Sequence, residues 1–407
     1  MKSLRKPVTI APLILLSLAL SLLSSELPYT FSWIGNTFGD GSGEVSVNKG
    51  KWVQVNMVDL WVGSDGTCYT VSQWDEGKRE GGIYKDGDCI GYLKHLHPNE
   101  GGHSPQAVTG DENYVYVGNG KNIRRYNYSG SPAPFAGGVD DKDGGASITF
   151  GTGISGMAVN AAVSRLYACC PGADRIKVVS TAGGLDSLDE FQCESAYRIA
   201  VEPDGDLWVA VRSTDSTEGK LLCLSADGVL EKEIIPGSGF DPTALRFRGD
   251  GALMAADNGP DQCIRVYGNL DANPSVIGTL GEEQGVYAGP VSGTVGPLRF
   301  CGITGLGTDS SGNWYVAQNR FGPEVNHHSN GGGSILEKYG PNLERQWRLL
   351  GLEFVDCGAI DRKTGDVFSS YTRYAMDYST AANGSEWTYA AHTVDQFKYP
   401  HDFRYRT

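Results

Sequence analysis

Seven histidines, 48 acidic residues and nine cysteines are the side chains of this 407-residue sequence best suited to hold metals or move protons. His95 and His97 stand two residues apart, which on a strand puts both imidazoles on one face, a spacing that suits a metal. They lie in a linker running toward Pro98 and Asn99, so exposed, unligated rings are the expectation. The remaining histidines, at 103, 327, 328, 392 and 401, are so scattered that a three-imidazole site needs long-range convergence. Asp140-Asp141-Lys142-Asp143-Gly144 has the acidic spacing of a calcium loop without its bidentate Glu, and reads as an ordinary turn. Gly331-Gly332-Gly333 is not followed by Lys and Ser/Thr, which excludes a phosphate-cradling loop. A Gly-x-Ser-x-Gly nucleophile elbow and a Cys-x-x-Cys pair are both missing.

Composition limits the partners. Lys and Arg number 34 against the 48 acids, a net charge of −14, so nucleic-acid binding, which needs phosphates neutralised, is not expected. The N-terminus carries Lys2, Arg5 and Lys6 before an apolar run from Val8 to Leu23, too short to span a bilayer at about 20 residues. Residues 1–25 therefore read as an export signal, with Ala19-Leu20-Ser21 and Ser24-Ser25 as competing cleavage sites. The rest is expected outside the cytoplasm, secreted or held in the periplasm or at the cell surface. Cysteines fit that compartment. Nine is odd, so at least one stays free or pairs between chains; Cys68 and Cys89 are placed to bridge neighbouring strands, and Cys169, Cys170 and Cys193 form a second group. Asn127-Tyr128-Ser129 and Asn383-Gly384-Ser385 match glycosylation sequons.

The elements that must position these groups are short strands. Glycine supplies 56 residues, about double ordinary usage, which means many turns. A strand, tight polar turn and second strand recur from Val58, Gln106, Gly156, Arg198, Ala244, Gly305 and, more faintly, Cys357. Turn centres run from Gly66 to Gly365 at a mean interval of about 50 residues. Further short strands follow, such as Gly82–Lys85 and Cys89–Leu93, giving four-stranded antiparallel units. Such a unit cannot bury both faces alone, and radial stacking solves this, so an all-β propeller of six or seven blades is expected over 26–407. Trp61, Trp208 and Trp314 fall inside hairpin strands, where burial between blades is their expected role.

Ala200-Val201-Glu202-Pro203-Asp204-Gly205-Asp206-Leu207-Trp208-Val209-Ala210 resembles the core of an NHL repeat. Ala255-Ala256-Asp257-Asn258, with Ile264-Arg265-Val266-Tyr267 after it, is similar to that repeat's ending, and Phe135-Ala136-Gly137-Gly138 to its glycine-rich connection. The resemblance covers roughly Val58 to Tyr371; gluconolactonase-like and streptogramin-lyase-like propellers are more distant. Copies two, three and seven depart from the pattern, which leaves the blade count open. Tyr29–Trp52 is a candidate for a strand closing the ring, and Trp387–Val394 for an outer strand of the last blade.

That resemblance implies a rim at the end where inner strands begin. Carried over, it gathers Trp74, Asp75, Glu76, His103, Asp174, Arg198, Arg320, Glu324, His327 and His328, with Asp241, Asp257 and Asn258 as metal ligands for Ca²⁺ or Zn²⁺. Trp74 is placed to stack on a sugar ring. The implied function is a binding or scaffolding module recognising a polar small molecule, glycan or envelope protein, with self-assembly as a further expectation. The alternative is a metal-dependent lactonase or lyase acting at the channel mouth.

Overall fold

The computed structural model describes residues 53, 56–73, 80–97, 104–135, 139–141, 145–147, 150–182, 187–212, 218–289, 296–321, 333–350, 358–368, 372–376 and 387–392. The first sheet comprises β1 (Met57–Val62), β2 (Cys68–Ser72), β3 (Gly81–Lys85) and β4 (Asp88–Tyr92) in that order. The second has three strands, β5 (Pro105–Gly110), β6 (Val115–Asn119) and β7 (Asn122–Tyr126), with a hairpin of β8 (Val139–Asp141) and β9 (Gly145–Ser147) beside β7. The third is β10 (Gly156–Asn160), β11 (Arg165–Cys170), β12 (Arg175–Ser180) and β13 (Ser187–Gln192). The fourth is β14 (Ala196–Val201), β15 (Leu207–Val211), β16 (Lys220–Leu224) and β17 (Leu230–Ile234). The fifth is β18 (Pro242–Phe247), β19 (Leu253–Asp257), β20 (Cys263–Gly268) and β21 (Ser275–Leu280). The sixth is β22 (Ile303–Thr308), β23 (Trp314–Phe321), β24 (Gly333–Tyr339) and β25 (Arg345–Leu350). A further four-stranded sheet joins β26 (Ala359–Ile360), β27 (Val367–Phe368), β28 (Thr372–Met376) and β29 (Trp387–His392).

In the third, fourth and fifth sheets burial falls away toward the last strand. The second strands CYTVS in β2 and LWVAV in β15 are buried along their whole length, the latter apolar throughout. The fourth strands, SLDEFQ in β13 and LEKEI in β17, are mostly exposed. Short unbroken apolar runs therefore mark strands covered on both faces.

The covering is by neighbouring sheets. Strand β1 packs on β5, β5 on β10, β10 on β14, β14 on β18, β18 on β22, and β22 back on β1. Six apolar clusters fill the six seams: Val71 with Val117, Tyr116 with Met157, Tyr167 with Val209, Trp208 with Leu253, Met254 with Val316, and Tyr315 with Leu60. The fold is a six-bladed β-propeller. All seven hairpin copies form strand pairs, but the seventh makes the sheet β26–β29, which ring closure does not use. Strand β29 is the outer strand of that sheet, and Tyr29–Trp52 lies outside the described residues.

The closing seam needs glycine. A Cβ on Gly305 would come within 2.5 Å of Leu60 Cβ and 2.6 Å of the Leu60 nitrogen, so the two inner strands approach as backbone. Elsewhere glycine serves the turns: Gly205 has φ +111°, a conformation that L side chains rarely adopt. Gly205→Val is expected to cost about 2 kcal/mol or more. Urea unfolding checks it, and an unchanged midpoint would remove the turn assignment. Copies two and three turn without glycine. In copy two the Asp111 carboxylate accepts from the N–H groups of Asn113 and Tyr114; in copy three Ser164 takes the left-handed position at φ 52°.

The expected Cys68–Cys89 bridge is corrected by the sheet order. Strand β3 lies between β2 and β4, and Tyr84 pairs with Cys68 on one side and Cys89 on the other. Two strand spacings of about 4.8 Å separate the cysteines, beyond a disulfide's reach. The eight described cysteines are all buried thiols. The His95-x-His97 linker is not a strand either: His95 has φ 60°, and His97 is buried with its ring bonded to the Glu80 carboxylate.

Candidate functional site

Inner strands begin, and second strands end, on one face of the ring. In five blades the inner strand opens with a β-bulge, at Val58, Gln106, Tyr197, Thr243 and Thr304. A bulge leaves its extra residue out of the ladder, so main-chain groups there need other partners. Arg198, the third residue of β14, supplies them. Its guanidinium donates to the carbonyls of Thr243 at 3.0 Å and Gln106 at 3.2 Å, and to those of Ser155 and Val58. Four other blades thus meet on one side chain, which can only lie on the axis, and Arg198 is 2% exposed. The sixth blade is tied in by the Thr243 hydroxyl, which donates to the Ile303 carbonyl at 2.6 Å.

A second cationic layer comes from blade five. Arg246 donates to the Asp59 carboxylate at 3.2 Å, the Leu60 carbonyl at 3.1 Å and the Val108 carbonyl at 2.9 Å. Asp59 also accepts from the N–H groups of Leu60 and Val108, both at 2.9 Å. Burial holds Arg246 below the ordinary guanidinium range; Asp59 opposes that effect and Arg198 adds to it. Asp59, Thr243 and Arg246 escaped the sequence reading. Their signal was a polar or charged side chain inside an innermost strand, MVDLWV or PTALRF, where nothing exposed is available.

The expected metal ligands come together at the start of blade five. Asp257, 1% exposed, accepts from the N–H groups of Asp241 at 3.1 Å and Gly259 at 2.9 Å, and from Arg265 at 2.8 Å. Burial raises its carboxyl above the usual range, against the pull of those donors. Asp241 is held by both arms of Arg212, at 2.7 and 3.0 Å. Asn258 turns away into the seam, donating to the Ile303 carbonyl at 2.8 Å and accepting from its N–H at 2.7 Å. Each of the three side chains thus bonds within the fold. Tyr197 stands beside them, with the guanidinium carbons of Arg198 and Arg212 4.5 and 5.0 Å from its ring centroid.

Trp74, Asp75, Glu76, His103, Glu324, His327 and His328 lie outside the described residues; Arg320 belongs to β23, its side chain likewise outside them. Asp174 caps a turn at φ 50° and accepts from the Ser195 N–H at 3.1 Å. On the opposite face a cleft of about 840 Å³ opens between blades five and six, with Trp314, Leu280 and Leu343 in its lining and Arg248 bonded to Asp250 at its edge.

No protein-family model matches the chain, and no curated protein matches it in sequence. Solved structures are similar in fold alone. A protein of unknown function from Bacteroides thetaiotaomicron is 15% identical with a TM-score of 0.47, over 71% of this chain and 72% of that one. A catalytically inactive virginiamycin B lyase from Staphylococcus aureus with quinupristin is 12% identical at 0.42, over 84% and 92%. The Pan2 WD40 domain of Neurospora crassa is 11% identical at 0.43, over 84% and 90%. Among the described residues no helix is long and apolar enough to cross a membrane.

Proposed function

We propose that this chain is an exported binding or scaffolding module whose strand-start face recognises a polar partner, a glycan or an envelope protein. The observation that carries the reading is the commitment of the axial polar groups. The Arg198 guanidinium and the Asn258 amide are spent on main-chain groups of other blades, while Asp257 accepts from main-chain N–H groups within its own blade. Groups so bonded position a scaffold; they are not free to hold a reacting centre. The connections leaving that face differ instead. Sheets two, three and five join their second and third strands by tight turns, whereas residues 73–80, 212–219 and 322–332 are long connections. Two of these carry Trp74, Asp75 and His327, and long loops on a rigid scaffold are where recognition concentrates.

The test separates this reading from a metal-dependent lactonase or lyase. The chain is purified after export, its N-terminus is read by mass spectrometry, and its binding to envelope polysaccharides is measured with Trp74→Ala and His327→Ala. Saturable binding weakened by either variant is expected. Metal content is compared between the parent and Asp257→Asn, and no change is expected. A stoichiometric divalent ion lost on Asp257→Asn would overturn the binding-module reading and favour the enzyme.

A further inference from the structure

On the face opposite the rim, three blades repeat one hydrogen bond. The turn acid after the inner strand accepts from an aromatic donor on the second strand: Asp111 from the Tyr116 hydroxyl at 2.8 Å, Asp309 from the Tyr315 hydroxyl at 2.9 Å, and Glu202 from Trp208 Nε1 at 2.8 Å. The third-strand residue paired with that aromatic differs among them. Tyr116 pairs with Arg125, Tyr315 with Lys338, and Trp208 with Cys223. Arg125 acts electrostatically on the Tyr116 hydroxyl, and the Lys338 ammonium stands 5.4 Å from the Tyr315 ring centroid. Blades two and six therefore build in a cation beside the aromatic donor. Blade four has a neutral thiol there instead.

It also has more acid. The donor atoms of Glu202, Asp206 and Cys223 all lie within 4.8 Å of one another, and those of Glu202, Asp204 and Asp271 form a second such group sharing Glu202. Glu231 and Lys232 act electrostatically with opposite sign on both Asp206 and Cys223. Cys223 is fully buried and makes no hydrogen bond to a described residue, so its sulfur faces this group of carboxylates unpartnered.

We infer that Glu202, Asp206 and Cys223 form a binding site for a thiophilic divalent cation, Zn²⁺ above all. A sulfur beside two carboxylate oxygens selects Zn²⁺ over Mg²⁺ or Ca²⁺, which prefer oxygen alone. Donors in a tetrahedral zinc site stand about 3.3–3.5 Å apart, and these three already lie within 4.8 Å of one another. On binding, the Cys223 proton leaves to solvent, a sulfur–metal bond forms, and one position stays open to water. Trp208 Nε1 fixes the orientation of Glu202, the role of an outer partner in known zinc sites. Cys223 packs in one cluster with Leu253 and Tyr267 of blade five, so the ion would bind near the seam between blades four and five.

The test uses the full chain stripped with chelator and titrated with Zn²⁺, Mg²⁺ and Co²⁺. One equivalent of Zn²⁺ is expected to bind and raise the melting temperature, with Mg²⁺ inert at the same concentration. The Co²⁺ form should show sulfur-to-cobalt charge-transfer absorption that Cys223→Ser abolishes. Cys223→Ser should also weaken Zn²⁺ by at least about tenfold. If Cys223→Ser does not fold, Asp206→Asn replaces it, with the same loss of affinity expected. A Co²⁺ form lacking the sulfur band, or a folded variant that binds Zn²⁺ as the parent does, would overturn the site.

Discussion

Arg198→Met is expected to take the ring apart. The variant keeps much of the side chain's length and removes its donors, leaving the carbonyls of Val58, Gln106, Ser155 and Thr243 without the guanidinium that joins them. A buried acceptor stripped of its partner costs about 1–3 kcal/mol, so the loss is about 4 kcal/mol or more. That is a large share of the about 5–15 kcal/mol by which folded proteins ordinarily stand. Arg198→Lys should be nearly as damaging, because one ammonium cannot reproduce a planar fork aimed at four blades. Urea unfolding followed by tryptophan fluorescence measures both. A midpoint unchanged in Arg198→Met would remove the residue from its role as hub.

Asp59→Ala is the second large effect. It strands the buried Arg246 guanidinium and frees the N–H groups of Leu60 and Val108. Removing one partner of a buried ion pair costs about 3–5 kcal/mol. The double variant Asp59→Ala/Arg246→Met is expected to be more stable than Asp59→Ala alone, since the stranded charge goes too. If adding Arg246→Met to Asp59→Ala gives no recovery, the loss comes from the two N–H groups and not from the charge.

The hairpins were legible because turn chemistry and apolar runs are local: Val201-Glu202-Pro203-Asp204-Gly205-Asp206-Leu207 carries its own turn. Blade number was not, since the seventh hairpin copy, fainter than most, still carries the strand, turn and strand of the rest. What closes the ring at six is the fit of Gly305 and Gly307 against Leu60 and Val62, residues more than 240 positions away. The strand order within a sheet was legible, and the strand read at Gly82–Lys85 is what separates Cys68 from Cys89. Arg198 was expected on the rim from its place at the head of a strand. A one-residue bulge at Tyr197, which no local pattern announces, accompanies its entry into the axis. His97 was read as exposed because its partner Glu80 lies on a different connection.

Each sheet of the ring is made from one contiguous stretch of chain, and blades one and six meet side by side without exchanging a strand. During synthesis, then, every blade has all its strands as soon as its own residues have emerged. Blade one must wait with its outward-facing seam uncovered until Leu350 is reached, because the surface that shields Leu60 and Tyr84 is the last to be made. The interval between those two moments is when a chaperone, or a second nascent copy, would find this molecule most adhesive.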